Sequence, residues 1–171
     1  FTRHLIEGKS EYEVKKSDAL RKVALAEGST MEYLKRANRL MNGTIHPGDR
    51  LLVFKFDFLF VISLSEKILT VWHGNHFFKQ YPIDEVKLPS GVSAPFETGI
   101  RHKAAWKNGE AVQIYDSGYS DAVKWIQTGR PGVVFLPEFG DEVQSGFKMS
   151  PADIDELNVI SSGVTTVEVR P

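Results

Sequence analysis

Within residues 12–53, strand, helix, helix and strand signals follow one another with turn chemistry at every junction. Few small folds accommodate that order in so short a stretch. Tyr12, Glu13 and Val14 alternate as a short strand. Ser17 or Asp18 is placed to cap a first helix whose apolar face is Leu20, Val23 and Ala24, and Gly28 ends it. Ser29, with Glu32 three residues on, reads as a capping box for a second helix through Met31, Leu34 and Ala37. Asn42-Gly43 and Pro47-Gly48 are turn dipeptides, and Leu51 and Val53 alternate as a closing strand. From the residues alone, the segment is either a ligand-binding unit or a small packing unit, because each of its apolar positions is also a core position.

What lies beyond this segment is long enough for a second core, since the chain has 171 residues of which 42% are hydrophobic. The net charge is −1, from 21 basic and 22 acidic residues, and no basic stripe with interleaved aromatics appears, which argues against a nucleic-acid partner. No run approaches the length of a membrane-spanning helix. The chain begins at Phe1 without Met, so an upstream signal or anchor is expected outside it. It contains no cysteine, which excludes a disulfide, a thiolate nucleophile or a zinc–thiolate site.

From Phe54 the pattern changes from helical to period two. Residues 58–64 form a nearly continuous apolar run, read as a strand buried on both faces. The turns at 65–67 and at Gly74-Asn75 make residues 58–83 a three-strand antiparallel meander. Pro82, Pro89, Gly91 and Pro95 mark an irregular stretch. Residues 111–115 are a strand candidate, 121–127 a short helix carrying Trp125, and 132–136 an apolar strand. Ser150-Pro151-Ala152-Asp153 opens a helix presenting Ile154 and Leu157, and 164–169 alternates as a last strand. The expected class is α+β, with a small βααβ unit over 10–55 and a mostly β region over 56–171. Trp72, Trp106 and Trp125 read chiefly as core.

Taken together, Tyr12-x-Val14, Ser17-Asp18-Ala19-Leu20, Val23-Ala24, Gly28, Leu34, Asn38, Ile45, Pro47-Gly48 and Leu51-x-Val53 resemble a LysM module. The family's usual opening is Gly-Asp-Thr-Leu, so Ser17 and Ala19 depart from it while Asp18 and Leu20 hold their places. The resemblance implies a module that binds N-acetylglucosamine polymers such as peptidoglycan or chitin. It puts the groove between a loop of Ser17, Asp18, Ala19 and Leu20 and a loop of Asn42, Gly43, Thr44, Ile45, His46 and Pro47.

The second region resembles the L,D-transpeptidase catalytic domain. The resemblance rests on the meander with its exit Tyr81-Pro82-Ile83, on residues 94–100, on Ala122-x-x-Trp125-Ile126, and on 143–149 followed by the last helix and strand. That family's signature is Ser-His-Gly-Cys-Ile-Arg-Met, with a Cys nucleophile and a nearby His base. Aligned on Met149, the matching residues are Val143, Gln144, Ser145, Gly146, Phe147, Lys148 and Met149, so Gly146 holds the nucleophile position. The base position falls near Leu136-Pro137. Only Ser145 with His102 offers a replacement pair, because His4, His46, His73 and His76 belong to the start of the chain or to turns. Asp116, Asp121, Glu138, Asp141 and Glu142 lack the spacing of a calcium loop and read as solvated charges.

These readings imply a non-catalytic peptidoglycan-binding protein of the bacterial cell envelope, exported to the periplasm or wall, with no cofactor and no metal. The β region would serve as a second groove or as a protein-docking surface. The alternative is a divergent wall enzyme, a transpeptidase or peptidoglycan hydrolase using a non-Cys nucleophile such as Ser145, or a metal.

Overall fold

A computed structural model describes residues 8–141 and 143–171, so His4 and Glu142 lie outside the described residues. β1 (Lys9–Glu13) pairs antiparallel with β2 (Arg50–Phe54), with Tyr12 opposite Leu51. The strand starts earlier than the alternation at 12–14 predicts because Lys9 pairs with Phe54. It stops at Glu13 because the Val14 amide turns to the Asp49 carbonyl.

Between these strands stand α1 (Leu20–Ala26) and α2 (Met31–Ala37). Leu20, Val23 and Ala24 are buried as expected, and Gly28 follows the first helix in the left-handed region at φ 62. The expected caps are corrected. Ala19 occupies the first N-cap without a side-chain bond, because the Asp18 carboxylate folds back to accept from the Lys15 amide and the Tyr12 hydroxyl. The second cap is Thr30, not Ser29: Thr30 Oγ1 accepts from the Tyr33 amide at 3.1 Å. The Thr30 hydroxyl also donates to the Val159 carbonyl at 2.5 Å, a tertiary bond that local sequence cannot announce. Glu32 closes no box; it is buried against Lys103.

The rest of the chain builds a ten-stranded sheet. β3 (Phe58–Ser63), β4 (Ile68–His73) and β5 (His76–Pro82) form the expected antiparallel meander, with Gly74 at φ 54 in the second turn. β3 alternates fully and half-buried residues instead of burying both faces, since only Phe58, Phe60 and Ile62 point into the core. There follow β6 (Glu85–Lys87), β7 (Phe96–Lys107), β8 (Glu110–Ala111), β9 (Val123–Thr128), β10 (Val134–Leu136), β11 (Gly146–Lys148), α3 (Pro151–Ile160) and β12 (Thr166–Arg170). The strand order is β5-β4-β3-β12-β7-β9-β10-β11-β6, with β8 beside β7. β3 with β12 and β10 with β11 are parallel pairs.

Three sequence expectations give way here. The stretch that its prolines and glycine marked as irregular holds the short strand β6, and the long strand β7 begins directly after it at Phe96. The helix expected over 121–127 is instead a 3-10 turn, Tyr119–Asp121, followed by β9. In β9 the inward residues are Lys124, Ile126 and Thr128. A lysine on the buried face hides the period-two pattern from any reading based on hydrophobicity. The strand expected over 111–115 is only Glu110–Ala111, because Gln113 and Asp116 close a turn straight after it. None of the three tryptophans is fully buried: Trp72 and Trp125 are half-buried, and Trp106 is exposed.

The last helix starts as its sequence predicts. Ser150 caps it, accepting from the Asp153 amide, and Pro151 occupies the first turn. α3 packs between α2 and β9. One continuous core then joins the βααβ unit to the sheet. Tyr33, Phe54, Phe56, Phe58 and Phe78 form a relay of rings whose successive centroids lie 5.1–6.2 Å apart. Each such buried ring contributes roughly 1.5–3 kcal/mol. The Phe56 amide also donates to the Gly28 carbonyl at 2.8 Å. Among the described residues no helix is long and apolar enough to cross a membrane.

Candidate functional site

The loop of Ser17, Asp18, Ala19 and Leu20 is set by one carboxylate. Asp18 accepts from the Lys15 amide at 2.7 Å and from the Tyr12 hydroxyl at 2.8 Å, and these bonds hold its carboxyl below the ordinary carboxylate range. Ser17 is exposed at φ 74, Ala19 is exposed, and Leu20 turns inward. The loop from Asn42 to Pro47 is likewise self-bonded. Asn42 Oδ1 accepts from the Thr44 amide, and the Asp49 carboxylate accepts from the His46 amide at 2.7 Å. Asn42, Thr44, His46 and Pro47 are exposed, Ile45 is half-buried, and Gly43 is buried at φ 75.

The fold brings the two loops together at Leu20 and Gly43. A Cβ on Gly43 would lie 3.3 Å from Leu20 Cδ2. Behind them Asn38 ties α2 to β2: its amide donates to the Leu34 and Leu52 carbonyls and its Oδ1 accepts from the Leu52 amide at 2.7 Å. The exposed polar groups of the loops, on a bonded frame, are suited to hydrogen-bond a neutral, hydroxyl-rich ligand.

The region around Gly146 is different. Gly146 opens β11 at φ 130, and a Cβ built on it would lie 2.0 Å from the Val134 carbonyl oxygen and 2.7 Å from the Val134 nitrogen. No side chain fits there without moving the backbone of β10. Phe135, Leu136, Phe147 and Met149 are fully buried around it, so apolar packing fills the space. Gln144 is exposed and Lys148 half-buried. Leu136, at the expected base position, is a core residue of β10.

The Ser145–His102 pair does not form. The Ser145 hydroxyl donates to the Gly132 carbonyl at 2.6 Å. His102 lies on β7, and β9 and β10 stand between that strand and β11, a separation of about 14 Å at ordinary strand spacing.

Sequence reasoning missed a polar seam between α2 and the sheet. Glu32 pairs with Lys103 at 2.7 Å, and Lys103 also donates to the Asn158 and Ser161 carbonyls. The Tyr119 hydroxyl donates to Glu32 and accepts from the Asn158 amide; burial first, then the Glu32 charge, raises its phenol well above the ordinary value. Arg36 meets Asp155 at 2.6 Å, and buried Lys124 lies 2.8 Å from the other oxygen of that carboxylate. Burial alone would raise the Asp155 carboxyl; the two cations outweigh it and hold it below the ordinary range. No local sequence pattern announces this seam, because its partners Glu32, Lys103, Lys124 and Asp155 lie on different elements.

The sequence matches no curated protein. Similar solved structures are L,D-transpeptidases. L,D-transpeptidase 1 of Mycobacterium tuberculosis aligns at 13% identity and TM-score 0.44 over 72% of this chain and 66% of that one. An L,D-transpeptidase mutant of Enterococcus faecium aligns at 18% and 0.43 over 66% and 49%. An L,D-transpeptidase of Stackebrandtia nassauensis aligns at 16% and 0.46 over 67% and 57%. This chain therefore spans less than two thirds of the length of each. Residues 12–54, which cover both helices, β2, the end of β1 and both loops, match the LysM domain family.

Proposed function

We propose that this chain is a non-catalytic peptidoglycan-binding protein of the bacterial cell envelope. The LysM domain at 12–54 carries the reading, because LysM domains bind N-acetylglucosamine-containing glycans such as peptidoglycan. The groove lies between Ser17, Asp18, Ala19 and Leu20 on one side and Asn42, Gly43, Thr44, Ile45, His46 and Pro47 on the other. Asp18 acts from behind, holding its loop in shape through Lys15 and Tyr12. The β region is an inactive L,D-transpeptidase-like domain that presents a second surface to the wall or to a protein partner. The absence of cysteine and the lack of space at Gly146 support inactivity.

The test uses the whole chain. It is expected to sediment with purified peptidoglycan and to be released by soluble N-acetylglucosamine oligomers. Incubation with muropeptides carrying tetrapeptide stems is expected to leave them unchanged. Formation of a cross-linked or shortened product would overturn the non-catalytic reading, and failure to sediment would overturn the glycan reading.

A further inference from the structure

The LysM loops meet an aromatic ring that does not belong to the module. Tyr115 lies in the loop between β8 and the 3-10 turn. A Cβ on Gly43 would be 2.8 Å from Tyr115 Cδ1 and 3.0 Å from Cε1, alongside the 3.3 Å approach to Leu20 Cδ2. The ring edge thus rests where the glycine of one loop meets the leucine of the other. Gly43, at φ 75, admits the ring because it has no side chain.

The ring is 45% exposed although its edge is held. Its loop is fastened on both sides. The Gln113 amide donates to the Asp116 carboxylate at 2.8 Å, and the Asp116 amide donates to the Gln113 carbonyl at 2.9 Å. Lys35 Nζ donates to the Ile114 carbonyl, and the Tyr115 hydroxyl donates to Met31 Sδ at 3.3 Å. The hydroxyl is occupied by α2, whereas much of the ring surface stays in solvent. An aromatic surface fixed in this way needs little ordering when a ligand arrives. A pyranose ring carries C–H groups on one face, and such a face packs on an aromatic ring while its hydroxyls and acetamido group remain free for hydrogen bonds.

We propose that Tyr115, contributed by the sheet region, extends the LysM groove as a stacking platform for one N-acetylglucosamine ring of the bound glycan. This rests on the glycan-binding reading above. It makes the groove a composite of both regions, so the module by itself is an incomplete binder. A ring that blocked the groove would have the opposite effect on affinity.

The experiment titrates the full chain and its Tyr115→Phe, Tyr115→Leu and Tyr115→Ala variants with an N-acetylglucosamine pentamer by calorimetry, with a thermal melt of each. Tyr115→Phe is expected to bind as the parent does. Tyr115→Ala and Tyr115→Leu are expected to bind roughly threefold to tenfold more weakly, the range for loss of one aromatic contact. Leucine keeps an apolar group against Leu20 and Gly43, so it decides the question if the alanine variant melts early. Unchanged or tighter binding by a folded Tyr115→Leu protein overturns this proposal and leaves the LysM reading standing. Absence of pentamer and peptidoglycan binding by the parent chain overturns both.

Discussion

The α-carbon of Gly146 faces the carbonyl of Val134 so closely that even a methyl group between them would stand 2.0 Å from the oxygen. The parallel pairing of β10 and β11 is packed on that contact, with Phe135 opposite Phe147. Glycine at this position is therefore a packing requirement of the folded chain. Gly146→Ala is expected to destabilise by more than about 4 kcal/mol, combining overpacking with a left-handed φ. A urea titration followed by tryptophan fluorescence measures it. Gly146→Cys should behave as badly and give no transpeptidation of muropeptides. A folded, stable Gly146→Cys protein would show that β10 can yield.

The Asp155 carboxylate sits between exposed Arg36 and buried Lys124. Its lowered pKa fixes the sign of a pH effect. The group is a better acid in the folded protein than in the unfolded chain, so its contribution is fully present above the unfolded value of about 3.9. It is lost as pH falls from there through the lower folded value. Melting temperature is expected to drop across that acid window. In Asp155→Asn the acid dependence should flatten. At neutral pH the same variant should lose about 3 kcal/mol, because the buried Lys124 is left without its counter-charge. An unaltered acid profile in Asp155→Asn would assign the acid lability elsewhere.

Glu32 and Lys103 bridge α2 directly to strand β7 of the sheet. Glu32→Ala leaves Lys103 with the two carbonyls of Asn158 and Ser161 and no counter-charge. A loss of about 3 kcal/mol is expected. Glu32→Ala combined with Lys103→Met should recover much of it, since neither charge then remains buried. Denaturation of the two single variants and the double variant yields the coupling, and strict additivity would mean that the two side chains do not interact.

Asn38, at the end of α2, makes two hydrogen bonds to the Leu52 backbone of β2 and a third to the Leu34 carbonyl of its own helix. Asn38→Ala is expected to cost about 2 kcal/mol, because the Leu52 amide and carbonyl lose their partner together. Hydrogen exchange of the Leu52 amide should accelerate more than that of Leu69, which lies in the distant β4.

Much of this was legible in the chain and the rest was hidden for identifiable reasons. The βααβ unit announces itself because its turns use Gly28, Asn42-Gly43 and Pro47-Gly48, whose conformational demands are local. Ser150-Pro151 marks α3 for the same reason. β9 escaped because Lys124 occupies an inward position, and the acid that stabilises it there is Asp155, on another element. β7 escaped because its residues alternate poorly: Ile100 and Ala105 are the buried ones, and a register irregularity lies between Ile100 and His102. The two loops at 17–20 and 42–47 could be placed from their turn residues. Tyr115 could not, because nothing near it in the sequence reveals that its ring reaches Gly43.

The ring relay from Tyr33 through Phe54, Phe56 and Phe58 to Phe78 has a mechanical meaning. A module hung on a flexible tether would let the sheet roam through a volume fixed by tether length. Here the connection is solid. A sugar strand gripped at the loops would fix the heading of every strand in the sheet, and whatever the sheet presents would stand at one bearing and one distance from the polymer, as an arm does on a bracket.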